Sequence, residues 1–319
     1  MNGKQTEAGM TLVELMVASV IGSILIAGAI TVYVQSRANY RVADSVARLQ
    51  DNLRFALDTL EPDIRLAGFW GLHNQAALID AGAVTVSCPG GGAAQATALA
   101  IGRRAIAVEA RDDAYDLACP GRSPRAGSDV LLLRHASDRR TPPAALGPGQ
   151  VYAELSYTGG SLFDDGVPPA AAAPAEYREV VFHAYYVGDS SFEPGTPALR
   201  RLTLVDGGAQ AALQDEELLP GVENLQVQFG LDSDGDGTVD RYVDGDHPLA
   251  TPERIQAVRL WLLLRAETSE AGLGFVDDRV YQPADADLAP IQPGADPAYP
   301  AAFRRAAVSK TILLHNRQS

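Results

Sequence analysis

The chain has 319 residues, 46% of them hydrophobic and 21% charged, the composition of a folded globular protein with room for one large domain or two smaller ones. Lys and Arg number 26 against 40 Asp and Glu, a formal net charge of -14. A surface that acidic repels a phosphate backbone and argues against direct nucleic-acid binding.

Residues 1–9, MNGKQTEAG, are short and polar. MTLVELMVASVIGSILIAGAITVYV follows, and no residue from Leu15 to Val34 is charged. An uncharged apolar run of roughly 20 residues is about what a bilayer core requires. No A-x-A-like cleavage site follows it, so the segment is expected to stay in the protein as an anchor. Glu14 breaks the pattern. A carboxylate in a membrane segment costs roughly 2.5–3.5 kcal/mol on insertion scales. A place in the first turn of a helix offsets part of that through the macrodipole. A positively charged partner would offset the rest.

Gly9-Met10-Thr11-Leu12-Val13-Glu14-Leu15 resembles the class III signal of type IV prepilins and of type II secretion pseudopilins. The resemblance implies that a prepilin peptidase cuts after Gly9 and that the new amino terminus, Met10, is methylated. It also implies that Glu14 pairs with the N-terminal amine of a neighbouring subunit during assembly. Most relatives have Phe where Met10 stands. Lys4 is the only basic side chain ahead of the segment, while Arg37 and Arg41 follow it. A count of positive charges alone would keep the C-terminal side in the cytoplasm; the resemblance implies the reverse.

Beyond Val34 the pattern turns amphipathic. Val42, Val46, Leu49, Leu53, Leu57, Leu60 and Ile64 step by three or four along one helix face, with Arg41, Asp44, Arg48, Asp51, Arg54 and Asp58 on others. The spacing predicts one helix from about Met10 to Ala67, kinked at Pro62 and roughly 85 Å long at 1.5 Å per residue. Its segment 10–35 would lie in the membrane or a filament core, and its amphipathic half, 36–71, would pack on a globular domain of residues 72–319. Arg65-Leu66-Ala67-Gly68-Phe69 resembles the end of that helix in the PilW family of minor pilins, where an Arg-x-Ala-Gly-aromatic pattern recurs. Many relatives have Cys where Leu72 stands.

Alternation predicts strands at Val130–Arg134, Val180–Val187, around Leu202 and Leu204, from Leu225 to Leu231, from Val258 to Leu264, and from Phe303 to His315. PPAALGPG, VPPAAAAPAE and IQPGADPAYP read as loops or mobile segments. Leu219 to Gly230, the strand carrying Trp261, and the basic C-terminal strand ending in Asn316-Arg317 also resemble PilW proteins. The expected fold class is α+β: a type IV pilin-like fold, with a long N-terminal helix on an antiparallel β-sheet domain.

The two cysteines, Cys88 and Cys119, fit one disulfide in an oxidising compartment, closing a loop of about 32 residues. Two buried free thiols are the alternative. None of the five histidines, His73, His135, His183, His247 and His315, stands at metal-ligand spacing, and each is expected at a surface or in a loop. Asp232, Asp234, Asp236, Thr238 and Asp240 match the first half of an EF-hand-type loop, with Thr238 offering its carbonyl. The twelfth-position Glu is replaced by Val243. The residues fit weak calcium binding and fit equally an Asp/Gly hairpin turn without metal.

The resemblance implies a minor pilin needed for type IV pilus assembly, in the tip or priming complex, rather than an enzyme. Its partners would be other minor pilins, the major pilin, prepilin peptidase and the inner membrane, with the domain in the periplasm and later in the filament. A minor pseudopilin of the GspJ kind in a type II secretion system shares the N-terminal logic. An enzyme or receptor tethered by one helix is the remaining reading.

Overall fold

The computed structural model describes residues 10–73, 75–88, 90–169, 174–285 and 287–316. The leader 1–9 with Lys4 and Gly9, and Arg317, lie outside the described residues. Helix α1 runs from Leu12 to Leu66 with Pro62 inside its last turns. The chain divides into two compact units within that helix, between Arg48 and Leu49.

The described part of the first unit is helix α1 up to Arg48. Its large apolar side chains from Met10 to Val34 are all exposed. The hydroxyls in this stretch stay satisfied without water. Ser19 donates to the carbonyl of Met16, Ser23 to that of Ser19, and Thr31 to that of Ala27.

The second unit is built on thirteen described strands. One sheet has nine: β1 (Ile79–Asp80), β2 (Val86–Ser87), β3 (Val108–Arg111), β4 (Val130–Ala136), β5 (Pro148–Ser156), β6 (Gly159–Asp165), β7 (Ala175–Asp189), β8 (Pro197–Val205) and β9 (Ala211–Pro220). Its main path is β1-β6-β5-β7-β8-β9-β2, with β4 also on β7 and β3 on β4. The long strand β7 makes this possible. Its first residues pair with β5, and its later ones with β4 and β8. The second sheet runs β11-β10-β12-β13, from β10 (Val222–Leu231), β11 (Arg241–Asp244), β12 (Ile255–Arg265) and β13 (Arg305–Leu313).

The larger sheet is buried on both faces, which is why β4 and β7 read as continuous apolar runs. Val130, Leu132, Phe182, Ala184 and Tyr186 point to one core, shared with the short helix α2 (Ala93–Thr97) and the turn after it. Leu131, Leu133, Tyr185 and Val187 point to a second core. There they meet Leu49, Ala56, Leu60 and Ile64 of α1, and Leu225, Val227, Phe229, Leu260 and Leu262 of the second sheet. The end of α1 is thus packed against both sheets, each buried leucine contributing roughly 1.5–3 kcal/mol. Helix α1 stops at Gly68, which takes φ +77 and donates to the carbonyl of Arg134. A Cβ there would lie 2.5 Å from the carbonyl oxygen of Asn316, so only glycine lets the C-terminal segment pass. The Ala-Gly-aromatic motif is explained by that passage: Ala67 is buried, and the Arg178 guanidinium stands 5.0 Å from the ring centre of Phe69.

The predicted strands all occur, and the expected α+β arrangement of a long helix on a largely antiparallel domain is present; the domain is built of two sheets, the larger with parallel pairs at β1–β6 and β2–β9. Strands β5, β6, β9 and β11 had no clear alternation. Strand β9 is the instructive one. Glu216 sits across from Arg201 of β8 and Asp215 diagonally from Arg200, and each forms an ion pair with that arginine, so charge holds positions of the strand in place of an apolar alternation. The segment IQPGADPAYP is a loop, as expected, but one that packs on the sheet. Ile291 and Tyr299, with Tyr281, pack on Trp261 and Leu263 and close the remaining face of the second sheet.

Candidate functional site

Thr11 precedes the first residue of α1, and its hydroxyl accepts from the backbone N–H of Glu14 at 3.3 Å. Its O–H faces Glu14 Oε2 at 3.5 Å. Thr11 and Glu14 therefore occupy the Ncap and third positions of a capping arrangement, with the carboxylate at the positive end of the helix dipole. Beyond it lies an uncovered apolar surface. The helix is long and apolar enough to cross a membrane, and none of its most apolar window is buried. Monomers rarely leave so much contiguous apolar surface to water, which marks the segment for a bilayer or another protein. Arg37 stacks on Tyr33 at 5.8 Å where the apolar run ends, the aromatic-basic pairing favoured at a membrane boundary. Among the site residues read from sequence, Met10 and Glu14 share this end of the chain; Gly9 lies outside the described residues.

Cys88 and Cys119 are joined in a disulfide with their Cα atoms 5.8 Å apart. Both are buried in the core beside α2. The sulfur bridge closes a stretch rich in Gly and Ala whose own strands are short.

In the acidic loop, one carboxylate oxygen each from Asp232, Asp234 and Asp240 lies within 4.8 Å of the others. Asp236 is not in this group. Asp236 Oδ1 accepts from both the backbone N–H and the hydroxyl of Thr238. The gathered carboxylates are themselves engaged: Asp232 accepts from Gly235 and Gly237, and Asp240 from Ser233. With Gly235 and Gly237 at positive φ, the loop closes on its own backbone donors.

Two histidines overturn the expectation of surface or loop positions. His135 in β4 is buried, and His183 in β7 is largely so. Both reach Asp63 of α1. His135 Nε2 lies 2.8 Å from Asp63 Oδ1, and His183 Nδ1 lies 2.8 Å from Asp63 Oδ2. Tyr185 donates its hydroxyl to the same Oδ2 at 2.8 Å. Burial alone would raise the Asp63 carboxyl pKa, but the bonds from His135 and His183 outweigh it and hold it well below the ordinary carboxylate range. The sequence signal was available. Asp63 lies three residues after Leu60, on the edge of the apolar stripe, and both histidines interrupt strand patterns.

The chain was compared with known proteins. Residues 184–316 match the family described as Type IV Pilus-assembly protein W, and residues 4–30 match the Prokaryotic N-terminal methylation motif. No curated protein and no solved structure matches the chain. The first match runs from the end of β7 through β13 and so includes the whole second sheet; the second includes the capped, exposed start of α1. With the α+β fold of a long apolar N-terminal helix and a sheet domain, these matches support a minor pilin of a type IV pilus, similar to the PilW family.

Proposed function

We propose that this chain acts in the complex that primes a type IV pilus and forms its tip. Prepilin peptidase cuts after Gly9, the amine of Met10 is methylated, and residues 10–35 pass from the inner membrane into the filament core. The sheet domain faces the periplasm and then the cell exterior. Other minor pilins and the major pilin are its partners. Glu14 pairs with the terminal amine of the adjoining subunit. The observation that carries this reading is the uncovered apolar stretch from Met10 to Val34 headed by a single carboxylate. The stretch needs a covering layer, and the carboxylate needs a cation. A subunit stack supplies both. The match to a pilus-assembly family over residues 184–316 favours this over a secretion pseudopilin. Deleting the gene should abolish surface filaments, and re-supplying the wild-type chain should restore them. Normal piliation in the deletion strain would reject the role in assembly.

A further inference from the structure

Asp112 and Asp113 follow strand β3, and Asp285 lies in the segment that closes the second sheet. One carboxylate oxygen from each lies within 4.8 Å of the others. Asp285 is 5% exposed. Its Oδ1 accepts from the backbone N–H of Asp287, but its Oδ2 is buried with no hydrogen-bond partner among the described residues. Oδ1 of Asp112 and Oδ1 of Asp113 are in the same condition. Each of the three converging aspartates thus keeps one buried carboxylate oxygen without a donor, unlike the self-capped carboxylates of the 232–240 loop. The neighbours whose charges weigh most on Asp112 and Asp113 are further aspartates: Asp244, Asp246 and Asp287 beside the three themselves.

The surrounding chain fixes this convergence in place. Asp113 holds φ +54, and its N–H donates to Asp129 Oδ1 at 2.9 Å. Asp129 is itself anchored by the N–H of Val227. Gly245 sits directly on Ala110, where a Cβ would come within 2.3 Å of the alanine methyl, so the 244–246 turn is held against the end of β3. Leaving several carboxylates together without a cation costs several kcal/mol. Carboxylate-only ligands select a hard cation, and calcium accepts irregular sets of 6–8 oxygens at about 2.3–2.6 Å. Two oxygens on one such ion are at most about 5 Å apart, the spacing found here.

We propose that Asp112, Asp113 and Asp285 bind one Ca2+ ion, which ties the β3–β4 connection to the segment covering the second sheet. Waters and the outer aspartates complete the coordination. The site draws on two stretches of chain far apart in sequence, so it exists only in the folded domain and stabilises it when filled.

The test uses the full chain in detergent, stripped with chelator and titrated with calcium chloride by calorimetry and by thermal unfolding. The wild type should bind one Ca2+ at this site, with a midpoint raised by roughly 5–10 °C at a hundredfold excess over Kd. Asp112→Asn with Asp285→Asn should lose that response. Its metal-free midpoint should equal or exceed that of metal-free wild type, because the repulsion is gone; this distinguishes a lost site from a damaged fold. Asp232→Ala with Asp234→Ala should keep the response. A wild type indifferent to calcium would overturn the proposal. So would a response that survives Asp112→Asn with Asp285→Asn, or one abolished by the 232/234 variant alone. Equal stabilisation by magnesium at the same concentrations would overturn the assignment to calcium.

Discussion

Asp63 of helix α1 faces His135 of strand β4 across 2.8 Å in the core of the sheet domain. The other ring nitrogen of His135 lies 2.8 Å from the carbonyl of Ala136, so the ring is held at both of its nitrogens. With His183 and Tyr185 on the second oxygen, one carboxylate fastens the end of α1 to two neighbouring strands. Apolar packing alone holds a helix on a sheet; these bonds also fix its rotation and register. Asp63→Ala should therefore lower stability by about 3–5 kcal/mol, because it leaves the histidines and the tyrosine buried without their acceptor. Denaturant unfolding of the full chain in detergent measures this.

The same group sets an acid response. The Asp63 carboxyl is depressed in the folded chain, so its stabilisation is fully present above the unfolded carboxylate value of about 4 and is lost as pH falls below it toward the lower folded value. The stability gap between wild type and Asp63→Asn should shrink as pH drops below about 4. In a His135→Phe, His183→Phe background, which removes the bonds that depress the carboxyl, this loss of the gap in acid should disappear. A gap that widens in acid would contradict the assignment.

Arg305 and Glu223 are both 0% exposed and form two hydrogen bonds, Nε to Oε2 at 2.5 Å and Nη2 to Oε1 at 3.0 Å. Arg305 also donates to the carbonyls of Phe303 and Pro300. Glu223→Ala should cost about 3–5 kcal/mol by stranding the guanidinium, whereas Glu223→Leu with Arg305→Met should cost much less than the single change. Unfolding midpoints of the single and double variants check this.

The disulfide between Cys88 and Cys119 should contribute roughly 3–4 kcal/mol by limiting the unfolded chain. Thiol labelling of the unreduced, denatured protein should find no free cysteine, and Cys88→Ser with Cys119→Ser should unfold at lower denaturant. Two reactive thiols in the wild type would contradict it.

The helix, the six main strands and the cysteine pair were legible because each rests on a local signal: a period of 3.6, a period of two, or an even count. What stayed hidden was held by contacts distant in sequence. Strand β9 is disguised by Asp215 and Glu216, whose partners on β8 are found only once the strands pair. Asp63 looked like one more charge on a helix until β4 and β7 brought their histidines to it. Asp112, Asp113 and Asp285 carry no spacing signal at all, since a long stretch of chain separates the pair from the third. The 232–240 loop shows the opposite case. Its spacing suggested five ligands; the fold gathers the carboxylates of Asp232, Asp234 and Asp240, while Asp236 Oδ1 accepts from Thr238.

Glu14 has two roles in this account. As part of the helix cap it steadies the first turn, and as a carboxylate in an apolar segment it awaits the amine of a neighbour. Glu14→Leu should leave the leader removed and the protein in the membrane, while reducing its entry into filaments at least tenfold. Quantitative blotting of membranes and sheared filaments separates these effects, and wild-type incorporation of the variant would exclude the pairing role.

The central claim is that the chain enters a pilus as a processed subunit. Mass spectrometry of filaments sheared from cells tests it most directly. The account predicts an N-terminal peptide beginning at methylated Met10, recovered together with the major pilin. Recovery only from membranes, with residues 1–9 still attached, would contradict it.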